Sequence, residues 1–269
     1  MTDTPFPQLG PTPRMTPALA FRDFAGVAKR NLLRSVRTPG LLLYAVQPIM
    51  LLLLFRYILG GAIKVPGGNY VNFVVPAIFL VSVLVGAMTS AIGMAEDLKS
   101  GLIDRFRSLP MTRSAVLTGR SLTDAIRSVV VLAIMVGLGI AVGFRFHSDA
   151  GRIALGMVLI LAFGYAFCWM NAAIGIAVKD PESATNAGTG PTFLLLFASN
   201  AIVPVSTLPG WLQGFARNQP LSVTVSAVRA LFEGGNATHD VWLSLAWSTG
   251  IAIAFFLIAD NLYKRAATT

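Results

Sequence analysis

Side chains able to do chemistry are few and widely spaced in this 269-residue chain. A metal site needs three or four nitrogen, oxygen or sulfur ligands brought together. Two distant histidines, His147 and His239, and a single cysteine, Cys168, supply neither such a cluster nor a disulfide. Both histidines fall at outer ends of predicted spans and read as structural residues. Cys168 sits in an apolar run and reads as a small packed hydrophobe. Phosphate binding of the Walker type needs GxxxxGK followed by Ser or Thr, and no such run occurs; HExxH and GxSxG are also missing. Asp124 has Arg120 and Arg127 at helical spacing, the pattern of a local charge pair. Asp260 lies beside Lys264 at the end of an apolar run, as an interface residue does. No catalytic residue, no metal ligand and no cofactor bound by this chain is expected.

The elements that carry these residues are set by composition. The chain is 55% hydrophobic and 12% charged, where a soluble domain carries about 25% charged residues. A helix needs about 20 mostly apolar residues to cross roughly 30 Å of hydrocarbon. Six windows suffice, at about 41–59, 71–95, 125–144, 153–178, 185–204 and 241–260. In the fifth, Pro204 and Pro209 are expected to end the helix. The fold class is therefore all-α, a polytopic membrane protein with six transmembrane helices. Six spans put both termini on one side. Lys and Arg then divide 15 to 6 in favour of the N-terminal side, which places N- and C-termini in the cytoplasm by the positive-inside rule. The net charge of +9 thus reads as topology rather than nucleic-acid binding. Residues 1–17, rich in Pro and Thr without an apolar core, are expected to be a disordered cytoplasmic tail and not a cleaved signal peptide.

Three segments do not span. Over 18–38, Phe21, Phe24, Ala28, Leu32 and Val36 share one helical face while Arg22, Lys29, Arg30, Arg34 and Arg37 gather opposite. This is an amphipathic interfacial helix; it is either a generic lipid anchor or a docking element. Over 96–113, Leu98, Leu102, Phe106 and Leu109 form an apolar stripe among charges of both signs, and Pro110 stops it. That pattern suits either docking onto a soluble partner or a solvated loop. Over 205–238, Pro and Gly separate apolar pieces too short to cross. They read as interfacial or re-entrant helices, or as a folded outer loop, with Trp211 suited to an aromatic belt.

The spans hold almost no ionisable groups, whereas ion-coupled carriers place Asp, Glu or His inside the bundle. No convincing inverted repeat appears either. If the chain moves a cargo uphill, a separate subunit must supply the energy. Six spans are few for a pathway, and a symmetric or pseudo-symmetric pair is the natural way to build one.

Three stretches in order carry a likeness. One is Glu96-Asp97, Gly101, Arg105-Phe106-Arg107-Ser108-Leu109-Pro110-Met111, Arg113 and Gly119-Arg120. Another is Gly143-Phe144-Arg145-Phe146. The last is Pro204-Val205, Leu208-Pro209-Gly210-Trp211-Leu212, Asn218-Gln219-Pro220 and Arg229. From about Phe21 to Arg265 the chain resembles the ABC-2 type permeases, particularly the membrane subunits of the daunorubicin/doxorubicin-resistance exporter group. The resemblance implies one transmembrane domain over 18–265 in the cell membrane. It implies a coupling helix docked on an ATPase through Glu96, Asp97, Gly101, Arg105, Phe106, Arg107, Leu109, Pro110 and Arg113. It also implies an N-terminal helix that touches the ATPase, with Arg22, Lys29, Arg30 and Arg34. Pro204, Pro209, Trp211, Pro220 and Arg229 would belong to the outer closure. The implied partners are two ABC ATPase subunits, which hold ATP and Mg, a second permease chain, identical or paralogous, and membrane lipids, with no nucleic acid.

An apolar or amphipathic cargo, a drug, antibiotic or lipid, agrees with the uncharged spans. The alternatives are polymer export by the same fold and a membrane scaffold that recruits a soluble partner. A polysaccharide path would be expected to be lined with aromatics, and 17 Phe but only 4 Trp and 5 Tyr slightly disfavour it. The 205–238 region argues against the scaffold. An enzyme lacks a nucleophile, base and stabiliser set.

Overall fold

The computed structural model describes residues 40–59, 70–99 and 113–266. The N-terminal amphipathic segment and most of 96–113 lie outside these. The described residues form helices and no strand. They are α1 (Gly40–Leu54, continuing as a π-helical turn over Phe55–Leu59), α2 (Tyr70–Lys99), α3 (Arg113–Ala141), α4 (Ala150–Val178) and α5 (Pro181–Phe197). A 3-10 turn (Val205–Thr207) follows, then α6 (Gly210–Asn218), α7 (Pro220–Glu233) and α8 (Thr238–Ala266).

Four of these are long and apolar enough to cross a membrane: Tyr70–Lys99, Thr123–Ala141, Ala150–Val178 and Thr238–Tyr263. At 1.5 Å per residue, the 30 residues of α2 extend about 45 Å, so its ends clear the hydrocarbon. The apolar stretch Val46–Ile58 is shorter. α2 is the central post: 72% of its most apolar window is buried, against 11% for α8 at the periphery. Around it pack α1, α3, α4, α5 and α7.

Small residues set the spacing. A Cβ on Gly164 would strike the Val83 side chain, and one on Gly175 would strike the Ala91 carbonyl. α2 and α4 can therefore meet backbone to backbone, as small residues permit inside membranes. Ala91 and Ala95 of α2 and Ala184 of α5 complete a small-residue contact near Val178. At the other end, Phe144 stacks edge-on with Phe79, Phe146 and Phe232. The Gly143–Phe146 motif thus plugs the bundle, and the positive φ of Gly143 (101°) makes the turn that aims Phe144 inward.

α5 stops at Phe197, well before Pro204. The Ser199 hydroxyl donates to the Leu196 carbonyl at 2.6 Å and accepts from the Ala201 N–H at 3.0 Å. This hydrogen-bonded turn ends the helix, so neither proline is needed to do so. Pro204 and Pro209 instead precede the 3-10 turn and α6, and Pro220 takes the first position of α7, where its missing N–H costs nothing.

Candidate functional site

The last turn of α2 leads into residues 100–112. Glu96 is exposed and Asp97 half-buried there, and α3 resumes at Arg113. Gly101, Arg105, Phe106, Arg107, Leu109 and Pro110 lie outside the described residues, as do Arg22, Lys29, Arg30 and Arg34.

Beside that turn lies the α4–α5 connection. Lys99 Nζ is 3.6 Å from Asp180 Oδ1. Asp180 also caps α5, accepting from the Ser183 N–H at 3.0 Å. The chain reverses through Lys179, the only described non-glycine residue with positive φ. Hydrogen bonding from Ser183, then the charge of Lys99, holds the Asp180 carboxyl below its ordinary range.

Further in, Asp124 and Arg127 pair on α3. The pair is not merely local. Ser90 Oγ donates to Asp124 Oδ2 at 2.5 Å, and Arg127 donates to Thr89 Oγ1. Tyr165 of α4 reaches Ser121 at 3.3 Å. Asp124 lies inside α3 and is 4% exposed. The spacing of Asp124 and Arg127 is readable in the sequence; the α2 partners are not.

At the opposite end Arg229 of α7 is the centre. Its Nε donates to Phe73 O at 2.6 Å, one terminal nitrogen to Asn200 O at 2.9 Å, and the other to Ala201 O at 2.8 Å. The guanidinium carbon sits 3.6 Å from the Phe73 ring centroid. Tyr70 adds a bond to Ile202 O at 3.3 Å. Gln219 ties the start of α7 to Leu195 O at 2.9 Å and to Ser222 at 3.1 Å. The 198–202 segment is therefore sewn to both α2 and α7. Trp211, by contrast, is 82% exposed on α6 and Phe215 is exposed one turn on. Pro204 and Pro220 are half-buried and Pro209 is exposed. Phe73, Asn200 and Gln219 complete this junction, and as a phenylalanine and two amides they carry no signal in the sequence that sets them apart.

The rest is chemically quiet. Cys168 is buried, His239 faces Asp240 at 3.2 Å on the surface, and no group of three His, Cys, Asp or Glu could hold a metal ion among the described residues.

Two long helices, α2 and α3, flank residues 100–112, and the 198–202 segment is laced to the bundle at the opposite end. The ABC-2 type transporter family profile matches residues 22–232. The chain belongs to the ABC-2 type transporter family. It is 33% identical over 220 residues to the daunorubicin resistance ABC transporter permease protein DrrB1 of Streptomyces coeruleorubidus, covering 82% of this chain and 78% of that one. It is 27% identical over 224 residues to the probable doxorubicin resistance ABC transporter permease protein DrrC of Mycobacterium tuberculosis, covering 83% and 81%. It is 24% identical over 266 residues to a putative transport permease, ycf38, of Cyanophora paradoxa, covering 89% and 87%. With its four long apolar helices, this ABC-2 family member is a multi-pass membrane protein, related to the permease subunits of drug-resistance transporters.

Proposed function

We propose that this chain is the membrane subunit of an ATP-driven exporter of an apolar or amphipathic molecule, such as a drug, antibiotic or lipid. It works with two ABC ATPase subunits, which bind ATP and Mg, and with a second permease chain, identical or paralogous. The observation that carries the reading is the likeness to resistance permeases over about four fifths of both chains. In this reading α1 and α5 join the four long helices to make six spans, with both termini cytoplasmic.

The exposed face of α5 supports a pathway between two permease chains. α5 turns Ala184, Gly188, Thr192 and Leu196 inward and leaves Thr185, Asn186, Gly190 and Pro191 exposed. This small, polar stretch in the first part of α5 suits a partner helix or a wet path, while Leu194 and Phe197 in its last turn are exposed and apolar. ATP-driven closure of the ATPases would push on 96–113, with Glu96 and Arg107 as the principal contacts. The two bundles would then rock and change access. The outer junction around Arg229 supports a closure on the far side.

Purification of the tagged chain from its native membrane in mild detergent tests this. The expected result is an ABC-type ATPase in one-to-one stoichiometry, lost when 96–113 is altered. A folded chain that carries no ATPase would overturn the exporter reading and favour a scaffold.

A further inference from the structure

α2 and α3 enter and leave residues 100–112, so whatever displaces that segment acts on both. The two helices are joined by a buried polar clasp. Ser90 and Asp124 are 2% and 4% exposed, and the Arg127 side chain is 16% exposed. Ser90 lies nine residues before the end of α2 and Asp124 eleven residues after the start of α3, so both sit about 14–17 Å along from those ends. The clasp is at one level, inside the bundle.

Its geometry has two attachment points. The consecutive residues Thr89 and Ser90 project about 100° apart on α2. Ser90 donates to the Asp124 carboxylate, and Thr89 accepts from the Arg127 guanidinium. The Thr89 hydroxyl donates onward to Gly86 O at 2.7 Å. One bond would fix spacing alone; two, to both members of an ion pair, fix spacing and rotation. Sliding α2 along α3 would leave buried hydrogen-bonding groups of the pair and of the two hydroxyls unpartnered, which is costly, so the clasp resists sliding. Ion pairing between Asp124 and Arg127 is satisfied within α3. It does not need α2, and the tie to α2 is an added feature.

The geometry points to Asp124 and Arg127, with Thr89 and Ser90, as positioning residues that make α2 and α3 one rigid lever, so that displacement of 100–112 moves the bundle rather than parting the two helices. This rests on the permease reading above.

The test uses the whole permease–ATPase complex in liposomes, with spin labels on Met88→Cys and Val129→Cys. Buried Cys168 stays unlabelled. The α2–α3 distance should be the same without nucleotide and with trapped ATP. In T89V/S90A, which leaves the ion pair intact, the distance should broaden on ATP binding. Doxorubicin moved per ATP hydrolysed should fall about tenfold, the scale of a coupling-network substitution, and T89S/S90T should restore it. A role confined to folding would lower the yield of complex while the ratio stayed at the wild-type value; that result overturns the lever. So does a nucleotide-driven change of the α2–α3 distance in the unmutated clasp, which decides the matter even if doxorubicin is not moved. Recovery of no ATPase at all would instead defeat the permease reading.

Discussion

Arg229 holds Phe73 in two ways at once: its guanidinium stacks 3.6 Å from the ring centroid, and its Nε donates to the same residue's carbonyl at 2.6 Å. The remaining nitrogens reach Asn200 and Ala201. The charge of an arginine buried this way is solvated by carbonyl dipoles, with the Glu233 carboxylate one turn on adding a favourable field. Only a planar fork can stack and chelate together.

Arg229→Ala should therefore strand three carbonyls and lower stability by roughly 2–4 kcal/mol. Arg229→Lys should recover only part of this. Thermal unfolding in detergent, followed by size-exclusion recovery, reads the effect. Exposed Arg217 is the control, and its alanine variant should stay within about 0.5 kcal/mol of the parent. Equal losses at both positions would refute the junction.

Gly175 makes a second prediction about packing. An added Cβ meets the Ala91 carbonyl, part of a helix backbone that cannot swing away. Gly175→Ala should cost about 1–3 kcal/mol. Gly250 of α8 has nothing within 4 Å of its would-be Cβ, and there alanine should be neutral or stabilising by up to about 1 kcal/mol. Melting temperatures of the two variants in one detergent compare them directly.

Much of this was legible and some was not, for physical reasons. The length of α2, α4 and α8 follows from apolar runs that hydropathy reads directly. The Asp124–Arg127 pair is visible as an i,i+3 spacing. Their ties to Thr89 and Ser90 are not, because a hydroxyl 34 residues away leaves no periodic trace. Arg229 stands out as a charge in an apolar segment, yet its acceptors are backbone carbonyls, which every residue has. Pro204 and Pro209 signal the end of α5 in the sequence, yet the Ser199 hydroxyl ends it sooner. How close α2 and α4 approach is a matter of packing, which hydropathy does not encode.

Asp180 gives a pH dependence. Its folded carboxyl is held below the ordinary range by Ser183 and Lys99. A depressed carboxyl pKa contributes stability that is present above the unfolded value, about 3.9, and is lost as pH falls through the folded value. Asn retains the cap but not the charge. The wild type should thus melt above Asp180→Asn at neutral pH, and the two should converge in acid. High salt should shrink the neutral-pH gap, since the Lys99 pair is exposed. A gap that widens in acid would contradict the assignment.

The proposed topology places Asn236 and Trp211 outside and Lys99 and Asp180 inside. Single cysteines there, against the buried Cys168 as an unreactive background, should divide by side. A membrane-impermeant maleimide should label Asn236→Cys and Trp211→Cys in intact cells, and Lys99→Cys and Asp180→Cys only after permeabilisation. Labelling of Asn236→Cys only from within would remove the six-span arrangement.

The coupling assignment is sharpest at Glu96 and Arg107. Glu96 is exposed on the final turn of α2, where a side chain that served only the bundle would be packed. A carboxylate there is open to a soluble partner, and among the described residues its removal leaves no buried group unsatisfied. Glu96→Ala should therefore leave insertion and melting unchanged. If the loop is the lever, Glu96→Ala and Arg107→Ala should each lower cargo moved per ATP by about tenfold, within the usual span of coupling energies. ATPase turnover and transport measured on the same proteoliposomes give that ratio. Wild-type ratios in both variants would leave the Glu96–Arg113 segment without a transmitting role and send the search to the Asp180 turn beside it.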